Sequence, residues 1–195
     1  MKASVRLLGQ TLAGLRLLLA LTVVFGLAYP LLMTGVGQVA FHSQANGSLV
    51  EVNGKAVGSS LIGQEFKGEQ WFHPRPSAGG YDALASGGTN LGPDSPDLVK
   101  AIAAARAAVA KDDGVLPSDV PPDAVTSSGS GLDPDISPAY AHIQVARVAK
   151  ARGLSVDQVQ RLVDDHTQDR DLGFLGEPRV DVLSLNVALE RAAGG

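Results

Sequence analysis

Hydrophobic positions divide the chain into two unlike parts. Residues 17–41 form an apolar and weakly polar run without a charge, and after Arg16 the next acid or base is Glu51. A helix rising about 1.5 Å per residue needs about 20 apolar residues to cross a bilayer core. Each interior Leu, Val or Phe favours insertion by about 0.3 to 0.6 kcal/mol. The pattern predicts a short N-terminus (1–16), a transmembrane helix (17–41) and one folded domain (42–195).

Past the run the period shortens. Val50 and Val52 share one face of a short strand, and Asn53-Gly54 before Lys55 predicts a tight β-hairpin, because both turn positions need positive φ. Residues 61–66 could extend its edge. Residues 70–77 predict an aromatic strand interrupted by Pro74 and Pro76, which forbid a helix. A Gly- and Pro-rich loop covers 81–96.

Helical signals fill the second half. Ser95 at the N-cap, Pro96 at N1 and Asp97 in the first turn open a helix that Gly114 ends, with Leu98, Ile102 and Val109 inward. After a loop over 115–136, Ser137-Pro138 opens another helix, stopped at Gly153, with Ala141, Val145 and Val148 on one stripe. Ser155 and Gln158 form a capping box for a third, with Val156, Val159, Leu162 and Val163 inward. After a turn over 172–179, Asp181 caps a last helix, and 180–182 could instead open as a strand. The order of elements predicts an α+β fold: one N-terminal transmembrane helix, then one domain with an N-terminal β-hairpin and helices mainly in the second half.

Charge orients the span. Lys2, Arg6 and Arg16 precede it, whereas 42–50 carry no formal charge with His42 neutral. The positive-inside rule places the N-terminus in the cytoplasm and the domain outside a cell (inner or plasma) membrane. A cleaved signal peptide is the competing reading. Arg16 interrupts its approach, the run exceeds a hydrophobic region of about 7–15 residues, and no clean cleavage site follows. The absence of cysteine excludes a thiol-linked lipid, a disulfide framework and a thiolate metal site. Within the span Thr22, Gly26, Pro30 and Gly35 suit packing against partner helices, although membrane helices also tolerate such residues without using them. Pro30 predicts a kink.

Little in the composition points to catalysis. A net charge of −4 argues against nucleic acid as the partner. Gly54-Lys55 lacks both the preceding Gly and the following Ser/Thr of a Walker A loop, and Gly35 with Gly37 lacks the third glycine of a dinucleotide fingerprint. Thr126, Ser127, Ser128, Gly129, Ser130, Gly131 and Asp133 could form a backbone anion nest binding a nucleotide, or simply a flexible surface loop. His42, His73, His142 and His166 are scattered, without metal-ligand spacing. For Arg147 and Arg152, surface ion pairing is the expectation, with burial beside a paired acid as the alternative.

Eight stretches read together add what spacing cannot. GSSLIGQ at 58–64, WFHPRPSA at 71–78, TNLGP at 89–93, VT at 125–126, SGLDP at 130–134, ISP at 136–138, QVAR at 144–147 and GEPRV at 176–180 closely resemble the KdpC family, in order and over nearly the whole chain. Asp181 stands where that family more often has Asn, and either residue caps a helix. The resemblance gives His73, Pro74, Arg75, Pro76, Ser77, Asn90, Gly92, Gln144, Arg147, Arg152, Gly176 and Arg179 a structural or interface role, with no catalytic residue and no metal. It implies a non-catalytic subunit of the Kdp pump, needed for its assembly. The partners would be a potassium-selecting channel-like subunit, an ATP-hydrolysing P-type subunit and a small membrane subunit. The family is described as a catalytic chaperone raising ATP affinity, so ATP would enter through the complex, with no cofactor held stably by this chain. A domain outside the membrane cannot touch a cytoplasmic nucleotide, so that effect would have to travel through the membrane helices. Alternatively the outer domain caps or gathers ions over the potassium-selecting subunit, or binds nucleotide itself.

Overall fold

The turn of chain before Pro30 is wider than the helix around it. The structure, a computed structural model, describes residues 2–194, with side chains from residue 7 onward. Helix α1 (Lys2–Val23) runs into a π-helical turn (Val24–Ala28) and then α2 (Tyr29–Ala40). The Tyr29 N–H reaches back five residues to the Val24 carbonyl. Pro30 has no N–H, and in a regular helix its ring would collide with the carbonyl four residues earlier. A wider turn ahead of it absorbs the mismatch, so the expected kink site is a π-bulge.

The stretch Leu7–Ala40 is the one helix among the described residues long and apolar enough to cross a membrane, and none of it is buried by the protein. It begins well before residue 17. Phe41 leaves helical geometry (φ −136°, ψ 47°) and α3 (His42–Ala45) follows. The amides of Gln38 and Asn46 exchange bonds of 3.3 and 3.1 Å, and Asn46 also donates to the His42 carbonyl at 2.7 Å. These contacts lie within the first of two compact units, Met1–Ser48.

The second unit, Leu49–Gly195, is α+β. Strands β1 (Leu49–Val52) and β2 (Lys55–Ser59) form the expected antiparallel hairpin, bulged between Val50 and Glu51. Asn53 and Gly54 sit at φ 53° and 73° as a type I′ turn requires. Helices α4 (Pro96–Asp113), α5 (Pro138–Arg152), α6 (Val156–Asp165) and α7 (Val182–Ala193) follow. Three short strands make an antiparallel sheet in the order β3 (Asp135–Ile136), β5 (Arg179–Asp181), β4 (Thr167–Gln168). The core gathers Phe72, Ala141, Val145 and Val148, with Val159 and Val163 of α6, Val180 of β5, and Leu185 and Leu189 of α7.

Several expectations change. Residues 61–66 and 70–77 join no sheet; Gly63 instead donates to the Leu132 carbonyl at 2.8 Å. Ser95 stands at the α4 N-cap but its hydroxyl makes no capping bond, whereas Ser137, Ser155 and Asp181 cap their helices. Val156 is 54% exposed, not inward, because the first turn of α6 rotates it to solvent while Val159 and Val163 point in. Strands β3 and β4, two residues each, are too short to leave a periodic signature.

Candidate functional site

An extended segment without a strand partner has its peptide groups bonded by side chains. Asn186 of α7 accepts from the Phe72 N–H at 2.9 Å and donates to the Phe72 carbonyl at 3.0 Å. Gln144 of α5 does the same for His73, at 2.7 and 3.2 Å. Arg147 donates through Nη1 to the carbonyls of Glu69 (2.7 Å) and Trp71 (2.9 Å), and through Nη2 to Gln144 Oε1 (2.8 Å). Arg152 donates to the Gln70 carbonyl at 2.9 Å and lies over the Trp71 ring, 4.1 Å from its centroid. These backbone groups are therefore bonded although the prolines bar a regular ladder.

Arg147 is held from behind by Asp113, the last residue of α4, at 2.7 Å; both side chains are buried. Surface pairing fails for this arginine, because α5 turns its guanidinium into the core beside a carboxylate rather than outward. Burial pushes the Asp113 carboxyl above its ordinary value, with Arg147 opposing. Arg152 is largely buried too and pairs with the more exposed Glu190 at 2.7 Å. His73 shares this environment: burial, then the charge of Arg147, lowers its pKa, and its Nε2 lies 2.9 Å from the Gly68 carbonyl.

A second cluster ties four loops together. Arg75 Nη1 bonds Asp133 at 2.8 Å, and Ser77 Oγ donates to the Gly131 carbonyl at 2.6 Å. Tyr81, at φ 61°, donates its N–H to Ser77 Oγ at 2.9 Å and its hydroxyl to the Arg75 carbonyl at 2.6 Å. Burial, with Glu65 nearby, pushes that hydroxyl up to about 12. Gly87 N–H and Ser86 Oγ both donate to the Ser130 carbonyl, at 2.8 and 3.0 Å. A Cβ on Gly63 would lie 2.4 Å from the Asp133 carbonyl oxygen, and one on Gly131 2.8 Å from that of Gly87.

The loop singled out for anion binding is thus stapled through its carbonyls. The Gly131 and Leu132 amides are bonded within it, to the Ser128 carbonyl and Ser130 Oγ. Thr126 Oγ1 donates to the Pro122 carbonyl at 2.8 Å, Ser128 is buried beside Ser130, and Ser127 borders a groove of about 420 Å³ against α4. Gly129 lies close to Gly88. Arg75 and Asp133 also border a cleft of about 640 Å³, with Asp135 and Arg179 across it. Arg179 approaches Asp135 at 3.5 Å and Asp171 at 3.6 Å.

The remaining motif residues are placed by turns and packing. Pro74 is buried, Pro76 borders the groove against α4, and Asn90 (φ 53°) and Gly92 shape the turn into α4. Gly176 (φ 76°) precedes β5. In the N-terminal apolar helix, Thr22 and Gly26 stack on one face, where a Cβ on Gly26 would meet Thr22 Cγ2 at 3.7 Å, while Gly35 faces open space. Among the described residues no three His, Asp or Glu converge to hold a metal ion.

These placements can be set beside known proteins. A family model described as KdpC, the c chain of the K+-transporting ATPase, matches residues 11–191. The chain belongs to the KdpC family. A protein named potassium-transporting ATPase KdpC subunit in Kineococcus radiotolerans is 58% identical over 193 residues, covering 98% of each chain. Proteins of the same name in Mycobacterium bovis and Streptomyces avermitilis are 54% identical over 186 residues and 53% over 203 residues. The first covers 93% of this chain and 98% of the relative, the second 91% of each.

The KdpC resemblance singled out Gln144, Arg147 and Arg152 without saying what they grip. Asp113 and Asn186 were missed. Both left a signal: an acid in the last turn of a helix opposes the macrodipole and so wants a cation, and a lone amide on the apolar stripe of Val182, Leu185 and Leu189 needs a buried partner.

Proposed function

We propose that this chain is a single-pass accessory subunit of a potassium-transporting ATPase, without reaction chemistry of its own. Its N-terminal helix sits among the helices of the pump, with the N-terminus in the cytoplasm and residues 42–195 outside. The observation that carries this is the extent of the family match, residues 11–191, which takes in most of the apolar helix and nearly all of the folded domain. The charge asymmetry about the span supports the orientation. The partners are a potassium-selecting channel-like subunit, an ATP-hydrolysing P-type subunit and a small membrane subunit.

An effect on the ATP affinity of the hydrolysing subunit then reaches it as a coupling energy through the membrane helix. The π-bulge before Pro30, with Gly26 inside it, is the natural bending point on that route. Co-purification from mild detergent tests the assembly, and recovery of the chain without pump subunits would refute it. Protease treatment of sealed inverted vesicles tests the orientation, which predicts a protected domain. Pro30→Ala, which allows a regular helix, should leave assembly intact and weaken the ATP affinity of the complex; unchanged affinity would remove the helix from the route.

A further inference from the structure

The hairpin tip between β4 and β5 exposes apolar side chains at a strained position. Asp171 and Leu175 exchange both backbone hydrogen bonds at 2.9 Å and close a tight turn. Its first residue, Leu172, adopts φ 54°, a left-handed conformation that glycine or asparagine takes far more readily than leucine. Leu172 is 82% exposed and Phe174 69% exposed. Folding gains nothing from a leucine there, since it is strained by its backbone and wetted on nearly all sides. Strain of that kind, kept with no compensating contact inside the molecule, points to use of the side chain elsewhere.

The stem holds the tip in place. Arg170 pairs with Glu177 across it, and Arg179 of β5 reaches Asp171. Its outward charge is net acidic, with Asp169, Asp171 and Glu177 exposed against one exposed arginine, Arg170, and Arg179 only partly exposed. An anionic lipid surface would repel such a tip, whereas an apolar pocket rimmed by Lys or Arg would accept it.

We propose that Leu172 and Phe174 form a docking finger that inserts into an apolar, basic-rimmed pocket on the extracytoplasmic face of a pump subunit. This rests on the subunit reading above. The preformed turn lowers the ordering cost of binding, and a central aromatic anchor suits a site where few residues carry most of the affinity.

The test uses the full chain co-expressed with the pump subunits, carrying Leu172→Gly, Phe174→Ser or Phe174→p-benzoylphenylalanine. Leu172→Gly relieves the backbone and should melt at or above the wild-type temperature, while recovery of pump subunits after dilution in detergent falls about tenfold or more. Phe174→Ser should show the same separation of stability from recovery. Irradiation of the photoreactive variant should yield an adduct with a pump subunit. Wild-type recovery by both variants, loss of recovery only in step with melting temperature, adducts to lipid alone, or no adduct would each overturn the proposal. A wild-type chain that recovers no pump subunit would fail the subunit reading itself.

Discussion

The amide of Asn186 takes both backbone hydrogen bonds of Phe72, its oxygen from the N–H at 2.9 Å and its nitrogen to the carbonyl at 3.0 Å. One side chain of the last helix thereby replaces a neighbouring strand, 114 residues away in sequence. Asn186→Leu removes donor and acceptor together and strands two buried peptide groups. A loss of about 2–4 kcal/mol is expected, from an unsatisfied-group cost of about 1–3 kcal/mol each that partly relaxes. Chemical denaturation of the purified chain in detergent measures it, and a loss under about 0.5 kcal/mol, the range of a neutral surface change, would show that the amide is dispensable.

Arg147 and Asp113 form a buried pair in which removing one partner costs more than the pair itself contributes, because the other charge is left buried alone. Arg147→Met leaves the carboxylate buried alone and releases the Glu69 and Trp71 carbonyls, a cost of about 3–5 kcal/mol. Adding Asp113→Leu to Arg147→Met should recover part of that loss, giving a coupling on the order of 1–3 kcal/mol in a double-mutant cycle. Additive losses would mean that the two act independently.

His73 makes stability depend on pH. Its folded pKa lies below the ordinary 6.5, chiefly from burial and then from Arg147. Between the folded value and 6.5 the unfolded chain binds more protons, so stability rises with pH across that window and holds above it. Melting temperatures between about pH 5 and 8 should fall on the acid side, and His73→Gln should flatten that part of the slope. A slope unchanged by the substitution would assign the pH dependence to other groups.

Gly63 admits the loop that carries Asp133. A Cβ there would stand 2.4 Å from a backbone oxygen, which no side-chain rotation can relieve. Gly63→Ala should cost about 1–3 kcal/mol and loosen the Arg75–Asp133 bond. Gly92→Ala, with open space around it, is the matched control and should fall within about 0.5 kcal/mol of wild type. Equal effects at the two glycines would contradict the close approach.

Much of the architecture follows from local chemistry. The charge-free run, the Asn53-Gly54 turn, the capping box at Ser155 and the glycines at 114 and 153 act within a few residues, so they are legible before any folding. The same holds for the family, because eight stretches in order amount to a long-range signal carried by residue identity alone.

What the sequence alone determined is where the helices of the folded domain begin and end, where the hairpin turns and which residues resemble the family. Tertiary structure decided the rest. Residues 70–77 read as a strand because aromatic residues and prolines favour extended chain. Whether an extended chain becomes a strand depends on what lies beside it. Here the neighbours are Asn186, Gln144, Arg147 and Arg152, side chains from two helices. Asp113 drew no notice for the same reason: its cation arrives from a helix 34 residues on. Those bonds join residues far apart in the chain, and only the packed core brings them within 3 Å of one another.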